Sequence, residues 1–231
     1  MSSEQLPVVG TSDQLPVVAG DYKSKFADVP AIFDEIAGAG GFLPRIQFMS
    51  SKAKVVSDGL FPMNHFALIR GSNNVDLGQQ VDVFVLSYRF KAIDLSSENM
   101  LISYDPKSEM FKDISARSFI QNSKCMFGPE FLMFIPSQNA FGTFFLGAKS
   151  ARMESQSIMA VLKKPDATNW ITLLPKKIDS KKYGSWWIGT GIQCQSEYDL
   201  PSSEECDRVV EQFDNPPTQM VEKAMEDDRE R

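Results

Sequence analysis

Between residues 43 and 195 the apolar positions fall in short, strand-like runs, some alternating with the period of two of a half-buried strand. Arg45-Ile46-Gln47-Phe48-Met49 alternates in this way. His65-Phe66-Ala67-Leu68-Ile69 predicts a second strand, closed by the turn-forming run Arg70-Gly71-Ser72-Asn73-Asn74. Residues 81–90 (VDVFVLSYRF) are β-branched or aromatic on both faces, which predicts a central strand covered on two sides. Met100-Leu101-Ile102-Ser103-Tyr104 follows and stops at Asp105-Pro106. Residues 130–135 and 142–146 predict a hairpin joined over Pro136-Ser137-Gln138-Asn139. The period then changes. Over 149–162, Ala151, Ile158, Val161 and Leu162 recur near helical spacing, and Pro165 lies just beyond, so one helix is expected there. Strands resume at 170–174 and 185–188.

The flanks read differently. Residues 1–21 look extended, and Gln5-Leu6-Pro7-Val8-Val9 recurs at Gln14-Leu15-Pro16-Val17-Val18. Two copies are too few for a repeat architecture. A short helix is expected over 26–37 with Pro30 in its first turn, followed by a flexible joint at Gly38-Ala39-Gly40-Gly41. Past residue 195, Ser202 with Glu205 forms a capping box for a helix through Phe213, Pro216-Pro217 breaks it, and 218–228 predicts a second charged helix. The division expected is an N-terminal arm (1–42), a β-barrel-like binding domain (43–195) and an acidic C-terminal tail (196–231). The fold class is mainly β with one inserted helix. An oligonucleotide-binding-fold-like small barrel accommodates that order, and a β-sandwich with an edge helix fits nearly as well.

Charge sharpens this division. The net charge of −6 conceals −4 over residues 1–42, +6 over 43–195 and −8 over 196–231. A basic body suits a polyanion, while an acidic tail attracts basic partners or competes for the same surface. No run approaches the about 18 apolar residues of a membrane span, and no signal peptide is visible. A soluble, cytoplasmic protein is therefore expected. Three widely spaced cysteines (Cys125, Cys194, Cys206) and one histidine (His65) make neither a disulfide framework nor a metal pattern. No metal and no cofactor are expected.

Catalytic signatures are lacking as well. There is no P-loop, nucleophile elbow or zinc-binding helix motif. His65 reads as an edge residue, and Asp82 and Asp94 lie too far apart in sequence to form a site alone. An enzyme is not expected. Binding of unpaired nucleic acid has more support, because such sites combine cations along the phosphates with aromatic faces for the bases. The richest segment, 176–187, holds Lys176, Lys177, Lys181, Lys182, Tyr183, Trp186 and Trp187. Adjacent strand residues face opposite ways, so one tryptophan is expected in the core and the other outside it. In Tyr88-Arg89-Phe90-Lys91, the cations Arg89 and Lys91 share one face and the two rings the other. Lys149 and Arg152 stand at the start of the predicted helix, where they oppose its dipole and a phosphate would relieve them.

The strand-rich body, the phrase 81–94, the Phe-rich hairpin leading into Lys149-Ser150-Ala151-Arg152 and the acidic end resemble a tailed-phage single-stranded DNA-binding protein over about residues 43–231. The resemblance implies an oligonucleotide-binding barrel, with 176–187 lining its groove. It also implies a non-catalytic role in phage DNA replication or recombination within the host cytoplasm, and a tail that recruits replication proteins. The ending Asp227-Asp228-Arg229-Glu230-Arg231 departs from that family's pattern, having two arginines and no terminal aromatic. A structural or interaction protein, such as a phage virion component, is the alternative. Sequence leaves open whether the chain is a homo-oligomer.

Overall fold

The computed structural model describes residues 43–216, apart from 52, 71–73, 97–99, 165–167 and 183. The expected N-terminal arm with its repeat, the helices over 26–37 and 218–228, and Tyr183 lie outside the described residues. Nine strands form one sheet among those described: β1 (Arg45–Phe48), β2 (Phe66–Ile69), β3 (Val75–Gly78), β4 (Val81–Asp94), β5 (Leu101–Ser103), β6 (Cys125–Ile135), β7 (Ala140–Phe145), β8 (Trp170–Ser180) and β9 (Gly184–Gln193). The helices are a single turn α1 (Lys54–Ser57), then α2 (Glu109–Arg117), α3 (Lys149–Leu162) and α4 (Ser203–Asp214).

The strand order is β3-β2-β1-β7-β6-β4-β8-β9, with β5 also on β4. Every pairing is antiparallel except β1 with β7. The protein is thus mainly β, with its sheet strongly curled into a half-barrel. Gly189 shows how far the curl goes. It lies on β9, at one end of the strand order, yet a Cβ there would come within 2.9 Å of the Phe66 ring on β2 and 3.2 Å of Phe144. Only a residue without a side chain lets these distant strands meet. The concave face gathers Ile46, Phe66, Val83, Phe131, Met133, Phe144, Ile171 and Leu173 into the main core. Helix α3 covers this core with Ile158, which is fully buried.

Strand β4 organises the sheet. It pairs with β6 over Phe84 to Asp94, while its other edge is shared between β8 (Val81 to Phe84) and β5 (Ala92 to Asp94). The register with β6 slips at Leu86, so that Val85 opposes Met133 and Ser87 opposes Leu132. This is a β-bulge, and the extra residue exchanges the faces. Val81, Val83 and Val85 face the main core before it, whereas Tyr88 pairs with the core residue Phe131 after it. Arg89 and Lys91 are thereby turned to the convex side.

Helix α4 covers that convex side. Ser202 caps it by accepting the Glu205 N–H, as the capping box predicts. Val209 and Phe213 pack on Leu132, Phe134, Phe141 and Trp170. The segment leading to it is strapped down by Tyr198, whose ring lies 5.2 Å from Trp170 and whose hydroxyl donates to Asp82 at 2.6 Å. The first part of the acidic segment is therefore a layer of the folded body, and packing continues past residue 195. Helix α2 has no counterpart in the sequence reading. Its polar outer face breaks the apolar period, but Ser108 caps it and Phe111 and Ile114 are buried.

Truncating Phe213 to Ala should lower stability by about 3–5 kcal/mol, the usual cost of an emptied phenylalanine site, read from urea unfolding. A chain ending at Gln195 should expose Phe134, Phe141 and Trp170 and bind a hydrophobic dye that the full chain excludes.

Candidate nucleic-acid interface

After the bulge, β4 presents Tyr88 and Phe90 at the rim of the concave face, 46% and 43% exposed. Phe90 stacks on Phe127 of β6, with centroids 5.7 Å apart and planes 17° from parallel, and Tyr88 meets the Phe90 edge at 6.4 Å. Helix α3 forms the opposite wall with Arg152, Gln156, Met159 and Lys163, enclosing a cleft of about 500 Å³. Tyr88, Phe90 and Phe127 give it an apolar floor of rings, while no described lining residue is acidic.

The cations of this wall share one helix stripe. Lys149, Arg152, Gln156 and Lys163 fall at intervals of three, four and seven, one face of an α-helix. Fourteen residues at 1.5 Å spread the outer two over about 21 Å. Among the described residues none of Lys149, Arg152 and Lys163 takes part in an ion pair. The Arg152 guanidinium lies 4.3 Å from the Phe119 ring centre and 5.5 Å from that of Phe127. One of its nitrogens donates to Ser118 Oγ at 3.3 Å, while its Nε is buried without a partner. Burial draws its pKa below the ordinary arginine value, yet a guanidinium stays charged at neutral pH. An aromatic floor beside cations lacking counter-charges suits a planar, anionic ligand whose ring stacks and whose charge lies toward α3.

The other sequence-nominated cations are placed elsewhere. Arg89 and Lys91 do share a face, opposite Tyr88 and Phe90, but that face is buried by α4 and β7. Glu130, itself buried, holds both: Arg89 at 2.8 Å and Lys91 at 2.9 Å. The Arg89 guanidinium also lies over Tyr104 at 3.7 Å and Phe213 at 4.0 Å, and donates to the Phe213 carbonyl at the end of α4. Lys91 is buried against Tyr104 and Phe145, and Arg89 is largely covered by Tyr104 and Phe213, so their assignment to a strand-binding surface is corrected to a structural one.

The segment 176–187 is a hairpin of β8 and β9, not one trough. Lys177 opposes Trp187 and Ile178 opposes Trp186, so the two indoles face opposite sides. Trp187 is exposed and Trp186 half-buried, and neither belongs to a core cluster, contrary to the expected split between core and solvent. Lys176 is bound by Glu154 at 2.7 Å and Lys177 by Asp179 at 3.4 Å, while Lys181 and Lys182 sit exposed at the turn. Of the nominated residues, Arg152 lines the cleft beside the aromatic floor, and Lys149 stands on the same α3 stripe outside that lining. Tyr88, Phe90, Phe127 and Lys163 complete it. The alternation in Tyr88-Arg89-Phe90-Lys91 had marked the two rings as sharing a face, but nothing local linked them to Phe127 or Lys163.

His65 Nδ1 lies 3.0 Å from Asp76, and Asp82 accepts from Thr172 and Tyr198. The latter contact and burial push the Tyr198 phenol up to about 12. Among the described residues no group of three or more His, Cys, Asp or Glu could hold a metal ion, and no helix is long and apolar enough to cross a membrane.

Two buried carboxyls, Asp94 and Glu130, are held below their ordinary values. Burial raises Asp94, but the Ser96 side chain and backbone and Arg117 outweigh it and hold the group at about 2, against an ordinary 3.8. Burial likewise raises Glu130, and the Lys91 and Arg89 charges outweigh it, so its pKa lies below the ordinary value. Carboxyls depressed in the folded state stabilise fully above their unfolded pKa. Urea midpoints should therefore hold steady down to about pH 5 and fall progressively below it toward about pH 2. Asp94→Asn should flatten part of that fall.

No protein-family model, curated protein sequence or solved structure matches this chain significantly.

Proposed function

We propose that this protein binds single-stranded DNA without cutting it, in replication or recombination, with Tyr88, Phe90 and Phe127 as the base platform. Lys149, Arg152 and Lys163 follow the phosphates along one side. The observation that carries this reading is the pairing of stacked rings with cations that have no ion-pair partner among the described residues, in a cleft without described acidic residues. Stacking is indifferent to base identity and phosphate contacts to sequence, so the expected ligand is any unpaired stretch rather than a particular duplex site. On this reading the curled sheet works as an oligonucleotide-binding barrel, and the acidic end attracts basic replication partners or competes with nucleic acid for the body.

Fluorescence anisotropy of labelled oligo-dT against salt tests this. Each stacked base is worth about 1–3 kcal/mol, so Phe90→Ala should weaken binding about 5- to 150-fold. Arg152→Ala should weaken it and reduce the log–log salt slope by about 0.7, one phosphate contact. Failure of the full chain to bind oligo-dT at low salt would remove the proposal.

A further inference from the structure

The β8–β9 hairpin outruns the core. No described residue is buried over Lys176–Ser180 or Gly184–Trp187, so these nine positions form a projecting arm. Lys181 and Lys182 lie at its tip, and Lys177 pairs across the strands with Trp187, 39% exposed. A single acid, Asp179, stands among them, held by the Ser185 hydroxyl and Lys177.

Helix α4 is the complement in charge. With Val209 and Phe213 turned inward, Glu204, Asp207, Glu211 and Asp214 are exposed at spacings of three, four and three, a continuous acidic stripe. One base, Arg208, stands beside it, and Glu204, Asp207, Arg208 and Glu211 border a shallow groove of about 450 Å³. The arm is thus basic with one acid, and the helix acidic with one base.

These surfaces are set at opposite ends of one hairpin. Helix α4 packs on Trp170, where β8 begins, and the arm's tip is ten residues further on. At about 3.3 Å per residue the tip lies roughly 33 Å along β8 from Trp170, several times the screening length in physiological salt. Two chains in succession can set the arm of one against the helix of the next.

We propose that the basic arm of one copy docks on the acidic face of α4 in a second copy, producing head-to-tail chains. The contact joins two different surfaces, so it leaves a free arm at one end and a free helix at the other, and assembly grows rather than stopping at a dimer. Nucleic acid is the poorer occupant of the arm, because Asp179 lies between its lysines and Lys176 is already held by Glu154. Exposed ion pairs are individually weak, which makes the association salt-sensitive and places Trp187 as its apolar centre. The inference does not depend on the aromatic cleft.

Sedimentation of the full chain without nucleic acid, at about 0.01 M and about 1 M salt, tests it. At low salt the average mass should rise with concentration past two chains, and at high salt it should return to one. Lys181→Glu with Lys182→Glu, and separately Glu204→Lys with Asp207→Lys, should each weaken self-association at least about tenfold by facing like charges. An equal mixture of these two variants should restore growth, since each supplies the sign the other lacks, and misfolded chains would not recover. A wild-type chain that stays monomeric at low salt, or a mixture that stays dispersed, would overturn the proposal. So would an arm variant that loses oligo-dT binding while self-associating normally, because the arm's partner would then be nucleic acid.

Discussion

One inserted residue in β4 sets the two faces of this molecule. At Leu86 the register with β6 slips, and every later side chain of the strand changes side. Had the alternation run on from Val81, Arg89 and Lys91 would have entered the concave side, while Tyr88 and Phe90 would have lain under α4. The bulge instead places two rings at the mouth of the half-barrel and two cations against a buried carboxylate. The cleft and the helix that packs behind it therefore have a common origin.

Glu130 makes this arrangement costly to undo. A carboxylate this deeply buried is tolerable only with its charge matched, and removing one partner of such a group leaves an uncompensated ion. Arg89 satisfies part of that need and also reaches the last turn of α4 through the Phe213 carbonyl and ring. The acidic C-terminal segment is thereby joined to the central strand. Its helix has a dual character: an apolar stripe inside the body's second layer, and an acidic stripe left in solvent.

The cations of the body divide by whether the fold supplies a partner. Arg89, Lys91, Arg117, Lys176 and Lys177 are matched by carboxylates. Lys149, Arg152 and Lys163 have no such match among the described residues and share one stripe of α3. A positive total for residues 43–195 did not distinguish these groups, because a net charge sums the neutralised with the unneutralised. The reading of 176–187 as one trough failed for a related reason. Density along the chain is not density on a face when neighbouring strand residues point opposite ways.

Local periodicity was enough for most elements. The strands around Ile46, Leu68, Val83, Ile102, Met133, Phe144 and Leu173, the helix from Lys149 to Leu162, and the capped helix after Ser202 were all legible, because alternation, caps and breakers act within a few residues. So was the sharing of a face by Tyr88 and Phe90. What only the tertiary structure decided rests on pairing between distant segments. It includes the slip at Leu86, the parallel meeting of β1 with β7, and the curl that brings Gly189 onto Phe66. It also includes the packing of α4 on Trp170 and the approach of Arg152 and Lys163 to Phe90 and Phe127. Those contacts are set by which strands become neighbours and in what register, and no window of a few residues contains that information.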